Sequence, residues 1–418
     1  TAAVAYYTGG LGWQYHAAAM FATSLVVTRV FGEKPPKIQD NGVRQQVPPA
    51  TTNSMPVVYG DAYLGGTFVD AVLSENQKIM WYVLSISSIS QNGQFNYDTT
   101  KMYFGDRLIT FDSSDTTKVV SLTDGSGNVD TKVNGFLFIT LYTSNNSGVI
   151  TRKNGGYMPD VYMGPNTPGD APNQIPVNLQ WTSTNRQMYN QAFAIVKLYY
   201  STDAGTTQLQ PITFKVKQAL NGTGVAKPGD VWYDYMTNTE YGASMDASLV
   251  DSTTATTLNT YSDQLITFTD NQGDPATQAR YRINGVLDTG NNVLENVDNI
   301  LESCDSWMTY NSVSGQWALV INKAQSASLW FDDSNIIGDI KLSTIDINQM
   351  VNQIEAKFPS KLNKDIPDYV YLQTPSGLLY PNEPVNKYTI SYDLVNDSVQ
   401  ALYLANRILE QAREDLLV

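Results

Sequence analysis

The side chains able to do nucleophilic or metal chemistry are scarce in this 418-residue chain. It contains one histidine, His16, and one cysteine, Cys304. A Ser-His-Asp or Cys-His arrangement would need His16 as its base, yet His16 lies in an apolar stretch. One cysteine also excludes an intrachain disulfide framework and any zinc site that needs two or more thiolates. We expect a structural or interface role for His16 and a buried position on a helix for Cys304.

Oxygen-rich segments are the remaining candidates for chemistry. Neither Asp332-Asp333 nor residues 124–130 (DGSGNVD) follows the twelve-residue calcium loop, so exposed turns are expected at both places. The glycine-containing turns YLGGTF and NGTG do not match a phosphate-binding loop. A pair of glycosidase carboxylates has no sequence spacing by which it could be recognised. The sequence therefore predicts no catalytic, cofactor-binding or metal-binding residue and no cofactor, and we expect a protein that is not an enzyme.

Composition favours a protein built for contacts. Only 16% of the residues are charged, and the chain contains 26 tyrosines, a mixture that suits β-rich surfaces. The net charge is −14, from 40 acidic and 26 basic residues. Because affinity for nucleic acid comes from lysine and arginine neutralising phosphates, this chain should not hold DNA, whereas an acidic wall would repel a passing polyanion.

The chain begins with two distinctive segments. Residues 1–32 carry no charge before Arg29 and predict an apolar helix, ended near Gly32. Burial by protein, for instance among copies of itself, is one interpretation; membrane contact and a processing remnant are the alternatives. The candidate assembly residues of this helix are Trp13, His16, Met20, Phe21 and Val27. Residues 33–54 are rich in proline and predict an extended linker.

Strand patterns fill residues 55–220. Two apolar runs within 55–87 contain Tyr59-Gly60 and Gly65-Gly66, and about five further strands follow. Such a set with little helix predicts a β-barrel or sandwich. A loop as long as residues 144–176 is usually functional or makes contacts.

The hydrophobic period changes after residues 221–230. Residues 221–418 predict a second domain of α+β type, so the whole chain is α+β and mainly β. A short helix should end at Gly242, and Asn284-Gly285 should form the type I′ turn of a hairpin. The Cys304 helix and two further groups of strands follow, before a final helix begun near Asn396-Asp397.

Several stretches resemble, in order, the lambda-type phage tail tip attachment protein (host-specificity protein J) family. PVVYGDAYLGGTFVDAV resembles the start of that family's hub region. Comparable matches are AFAIVKLYYSTD, PITFKVKQAL, PGDVWYDYMTNTEYG, RYRINGVLDTGNNVLENVDNILESCDSW, NQIEAKFPS and ALYLANRILEQARED. The hub motif residues on these stretches are Tyr59, Gly60, Gly65, Gly66, Asn284 and Gly285. Residues 112–190 do not align, so we expect a β subdomain inserted at about 112–190 into the barrel domain of 55–220.

This resemblance implies a structural virion protein located at the phage tail tip. Three copies would form the central hub of a baseplate that closes the tail tube, joins it to the receptor-binding spike and opens for DNA ejection after host attachment. The implied partners are two further copies (a homotrimer), the distal tail or tube protein, the tape-measure protein, and other tail tip proteins and fibres. DNA would pass without specific binding, and residues 1–32 are candidates for membrane contact. Two alternatives stay open: a glycan-binding adhesin of a virion or cell surface, and a tail-associated glycan hydrolase.

Overall fold

The structure, a computed structural model, describes residues 54–73, 78–154, 188–269, 274–324 and 350–412, together with 343–344, 347 and 416–417. The expected N-terminal helix, with its candidates Trp13, His16, Met20, Phe21 and Val27, lies outside these residues, as does most of the linker. The described chain is mainly β, as the sequence predicts, with a minority of helix.

The first half of the described chain is built mainly from strands, and the second half mixes α-helices with strands. The first twelve strands, in order, are β1 (Pro56–Leu64), β2 (Thr67–Leu73), β3 (Ile79–Ser88), β4 (Gly93–Tyr97), β5 (Tyr103–Phe104), β6 (Arg107–Phe111), β7 (Val119–Thr123), β8 (Val129–Asp130), β9 (Leu137–Ser144), β10 (Ile150–Arg152), β11 (Gln191–Tyr199) and β12 (Ile212–Leu220). The later elements are α1 (Pro228–Thr237), α2 (Ser252–Ser262), β13 (Leu265–Thr269), β14 (Pro275–Ala279), β15 (Gly285–Asp288), α3 (Val293–Glu302), β16 (Ser306–Asn311), β17 (Gln316–Ile321), β18 (Ser343–Thr344), β19 (Gln353–Ser360), β20 (Ile366–Gln373), β21 (Lys387–Ser391), α4 (Ser398–Gln411) and β22 (Leu416–Leu417).

These elements belong to two compact units. The β unit holds the described residues up to Ala226 together with Asn284–Asn292, so it borrows β15 from the second half of the chain. The α+β unit holds Lys227–Ile283 and the described residues from Val293 onwards. The boundary between them falls close to the change in hydrophobic period.

The β unit is one large sheet wrapped around an apolar interior. Its main strand order is β10-β9-β11-β3-β1-β12-β5-β6-β7-β8, with β15, β2 and β4 attached at its sides. Side chains from nearly all of these strands meet in one buried cluster, which includes Val58, Leu84, Leu122, Ile139 and Phe214. Burial of these side chains supplies the main driving force for folding this unit.

The sheet does not close into the expected barrel. Between β7 and β9 there is only an isolated bridge, Lys118 to Phe138, and the hydrogen bond from Ile139 N to Thr117 O (2.8 Å). One reason is that β10 occupies the same edge of β9 over Tyr142–Ser144, where a closing strand would have to pair. The described strands therefore form an open path whose ends come together at one point.

The side chain of Asn154 occupies the edge of β9 beside this bridge. Its Oδ1 accepts from Leu141 N (2.8 Å), and its Nδ2 donates to Ile139 O (2.7 Å) and to Thr116 O (3.0 Å). Asn154 is buried, so these three bonds satisfy backbone groups that water does not reach. A side-chain amide thus replaces the missing part of the ladder.

The described part of the expected insertion, residues 112–154, belongs to the main sheet of the β unit. Strand β9 lies between β10 and β11 in the main sheet and contributes Leu137, Ile139 and Leu141 to the common core. Residues 155–187 lie outside the described part of the chain.

The α+β unit is built from local pairs of elements. Strands β13 and β14 form one hairpin, β16 and β17 another, and β18 pairs with β22. A three-stranded sheet of order β20-β19-β21 packs against α4. Trp232, Tyr235 and Tyr281 are its largest fully buried side chains.

The ends of the helices follow local chemistry. Asp397 caps α4 by accepting from Val399 N (3.0 Å) and Gln400 N (3.2 Å), as predicted from Asn396-Asp397. Helix α1 has Pro228 in its first turn but ends at Thr237, earlier than predicted, because the Asn238 side chain folds the next residues into a turn. No helix among the described residues is long and apolar enough to span a bilayer.

Candidate functional site

The single thiol of the chain is packed away from solvent. Cys304 is fully buried two residues beyond the end of α3, and its Sγ contacts Ile300 O (3.6 Å) and Leu301 O (3.4 Å). The apolar face of this helix is buried at Val297, Ile300 and Leu301 but exposed at its start. A thiol in this environment is a core side chain, because reactive thiols need exposure and a positive neighbourhood.

The oxygen-rich segment 124–130 is a turn that leads into β8. The Asp124 carboxylate accepts from Ser126 N, Asn128 N and Asn128 Nδ2, and the Asn128 side chain is the main cause that lowers the pKa of this carboxyl. Asp130 pairs with Arg107 at 3.2 Å. Within the described ranges, no group of three or more His, Cys, Asp or Glu side chains is placed to hold a metal ion. Asp332-Asp333 lies outside those ranges.

Four of the six hub motif residues come together where β1 changes its partner. Pro56–Tyr59 pairs with β15, and Gly60–Leu64 pairs with β12. Tyr59 lies opposite Gly285, and Asn284 Oδ1 accepts from Asp61 N (3.0 Å). We call the described residues at this change of partner, Val58–Asp61 with Asn284-Gly285, the β1 junction.

Glycine is required inside the junction by backbone geometry. Gly60 has φ of +69°, a left-handed conformation that residues with a Cβ rarely adopt. This one residue turns the strand from β15 towards β12, so it acts as a bend within β1. Gly285 is not in the left-handed region and lies in a strand. The predicted type I′ turn at Asn284-Gly285 is therefore wrong, since Asn284 binds β1 and Gly285 pairs with it.

Two side chains complete the hydrogen bonding of β1 at Val58. Val58 N donates to Ser87 Oγ (3.0 Å), and Val58 O accepts from Gln218 Nε2 (2.6 Å). Gln218 is fully buried, and its Oε1 accepts from Ser90 N (3.0 Å). Gln218 thus joins β12, β1 and the residues that follow β3. Its signal in the sequence was a polar residue in the core-facing register of Phe214 and Val216.

The other two motif residues lie at the far end of β1. Gly65 and Gly66 connect β1 to β2, which pairs with β3. A Cβ on Gly66 would lie 2.8 Å from Leu84 Cβ and 3.3 Å from Ser85 O, so only glycine permits this approach to β3. The motif residues therefore fix backbone geometry, and they present no reactive group.

A second feature, missed by the sequence analysis, is a tyrosine-bearing sheet face in the α+β unit. Tyr369 and Tyr371 lie on one face of β20, stacked with ring centroids 6.4 Å apart. Lys357 lies 5.9 Å from the Tyr369 ring and Lys387 5.8 Å from the Tyr371 ring. We call these four residues the Tyr-Lys face.

Comparisons with known proteins identify the fold. No family model matches the chain, and no curated protein matches its sequence. Among the solved structures that are similar, one covers 96% of this chain and 85% of its own chain, with a TM-score of 0.53 and 9% sequence identity. It is a chain of the structure described as "Virion of native gene transfer agent (GTA) particle". At this identity the similarity is one of fold.

Proposed function

We propose that this chain is a structural subunit of a phage-like virion and that it acts as the trimeric central hub of a tail tip. The observation that carries the proposal is the shared fold with a chain of a gene transfer agent virion, which extends over 96% of the residues. The ordered resemblance to tail tip attachment proteins points to the same role. In this role the hub closes the tail tube, links it to the receptor-binding spike and opens for DNA.

The wrapped sheet of the β unit supports this role. A wall between a tube and a spike needs a fixed shape, and the β1 junction fixes the strands by a bend, a paired β15 and a buried amide. Asn154 fixes the other side of the same sheet. In the proposed hub this unit is a barrel-like wall segment, with its open path held together at Lys118 and Phe138.

The charge of the chain supports passage of DNA without binding. With 40 acidic and 26 basic residues, copies arranged in a ring would repel phosphates. The proposed partners are two further copies, the distal tail or tube protein, the tape-measure protein, and other tail tip proteins and fibres.

Mass measurement of the purified protein and imaging of the intact particle together test the proposal. We expect multi-angle light scattering to give three times the chain mass of 46.2 kDa, and a particle map to contain three copies on the tail axis. A purified chain that stays monomeric and binds an oligosaccharide would favour the adhesin instead. Degradation of capsule or cell wall, abolished by replacing one Asp or Glu, would favour the hydrolase.

A further inference from the structure

We propose that the outer edge of the three-stranded sheet, formed by β20 and the Tyr-Lys face, is the surface through which one copy of this chain contacts a second copy. The inference rests on the proposed function, because it names the surface that joins copies within the hub. This surface lies within the α+β unit.

Strand β20 is a long edge strand. It pairs with β19 along all eight residues from Ile366 to Gln373, and none of the other described strands pairs with its second edge. A row of backbone N–H and C=O groups at such an edge is a template for pairing with another chain. Pro367 and Asp368 protect the start of the edge, but Tyr369–Gln373 contains neither a proline nor a charge.

The Tyr-Lys face is large and amphipathic. Tyr371 is 66% exposed and Tyr369 is 42% exposed, although a tyrosine ring gains free energy when its apolar part leaves water. Tyrosine carries little conformational entropy to lose on binding, and it is enriched where protein surfaces meet. The stacked ring pair and its two lysines are held in place by the sheet below them.

An exposed apolar side chain, Ile366, lies on the other side of the same edge. Ile366 is 51% exposed and belongs to the register of Ile354 and Ala356, the buried residues on the opposite face from the tyrosines. A small flat ligand such as a sugar ring could cover the tyrosines but could not reach Ile366 as well. A protein surface that adds along β20 would cover both sides at once, which favours a macromolecular partner.

Charge complementarity favours a second copy as that partner. The Tyr-Lys face has two lysines, and one of them, Lys387, is paired with Glu355, so the face retains one positive charge. The chain as a whole has a net charge of −14, so the surface of another copy is on average acidic. A head-to-tail contact between a slightly basic patch and a different, acidic patch is the kind that closes into a ring.

The test is the assembly state of variants measured by sedimentation velocity over a range of concentrations. The double variant Tyr369→Ser/Tyr371→Ser removes the ring pair, and Lys357→Glu reverses the unpaired charge without altering the tyrosines. The matched controls are Tyr200→Ser, where Tyr200 is 61% exposed in the β unit, and Lys217→Glu, at an exposed lysine of β12. We expect each Tyr-Lys variant to weaken assembly by at least about tenfold and each control to change it by less than about twofold.

The outcomes separate the two proposals. Folded variants that become monomeric while the controls remain trimeric would support the inference; circular dichroism checks the fold, and Lys357→Glu decides if the tyrosine variant unfolds. Variants that trimerise like the controls would overturn the inference and leave the proposed hub intact. Variants that trimerise but lose binding to an oligosaccharide or oligonucleotide would also overturn it, since the face would then serve another ligand. A monomeric wild-type chain at every concentration would refute both proposals.

Discussion

The substitution Gln218→Leu removes both side-chain hydrogen bonds that Gln218 makes at the β1 junction while keeping a similar side-chain volume. Val58 O loses the hydrogen bond that Gln218 Nε2 donates to it (2.6 Å), and Ser90 N loses its acceptor, Gln218 Oε1 (3.0 Å). Gln218 is fully buried, so water cannot replace either bond. A buried polar group deprived of its bond costs about 1–3 kcal/mol, so for these two groups we expect about 2–6 kcal/mol lower stability. That loss is a large part of the roughly 5–15 kcal/mol that stabilises a typical protein.

The free energy of unfolding of a companion variant, Gln218→Glu, should depend on pH. The protonated carboxyl can donate to Val58 O and accept from Ser90 N, whereas the ionised form places a charge against a buried carbonyl oxygen. Burial should therefore raise the pKa of the introduced carboxyl above its ordinary value of about 4.3. Relative to wild type, the loss of stability of Gln218→Glu should be small below about pH 4.3 and should grow as the pH rises above it.

Urea unfolding at several pH values measures both effects, with Lys217→Ala as the control on the same strand. Lys217 is exposed and its replacement should change the free energy of unfolding by less than about 0.5 kcal/mol. We expect Gln218→Leu to show a loss that hardly depends on pH and Gln218→Glu to show one that does. Equal midpoints for Gln218→Leu and the control, or a pH-independent Gln218→Glu, would refute this account of the junction.

Three further predictions concern other positions of the fold. Gly66→Ala should lower stability by about 1–3 kcal/mol, because its Cβ would lie 2.8 Å from a leucine Cβ on β3, whereas Gly125→Ala, with nothing within 4 Å, should be nearly neutral in the same thermal unfolding assay. Asn154→Leu should cost about 2–4 kcal/mol, since it removes three hydrogen bonds at the edge of β9, and unchanged hydrogen-exchange protection along β9 would contradict this. Burial raises the pKa of the Asp397 carboxyl, but hydrogen bonds from Lys361 and Gln278 outweigh burial, so the pKa is lowered. The stabilisation that the ionised Asp397 contributes should be present above about pH 3.9 and be lost as the pH falls below that value. Asp397→Ala should cost about 1–2 kcal/mol and remove this pH dependence in acid titrations followed by circular dichroism.

Local chemistry explains which parts of the fold the sequence predicted. The cap at Asp397 and the buried positions of α3 depend on residues close together in the chain, so pattern and spacing were sufficient. The misread turn at Asn284-Gly285 has a different cause. Its dipeptide suits a hairpin, but pairing with β1 gives it a strand conformation instead.

Long-range contacts explain what could not be predicted. No periodic sequence pattern predicts the hydrogen bond between Gln218 and Val58 or the one between Asn154 and Thr116, because each depends on how distant segments of the chain meet. The same applies to the closure of a barrel, which depends on whether β10 leaves the edge of β9 accessible. The exposure of Tyr369 and Tyr371 likewise follows from the position of β20 at the end of its sheet.

The pairing of β1 with β15 has a consequence for biosynthesis. Asp61 and Asn284, which are joined by a hydrogen bond, are 223 residues apart in the chain. A ribosome working at about 5–20 residues per second needs roughly 10–45 s to translate from Asp61 to Asn284, and during this time the first half of β1 lacks its partner strand β15. Nascent copies translated close together on one messenger would then risk exchanging this strand, and a chaperone that shields it in that interval would raise the yield of correctly assembled protein.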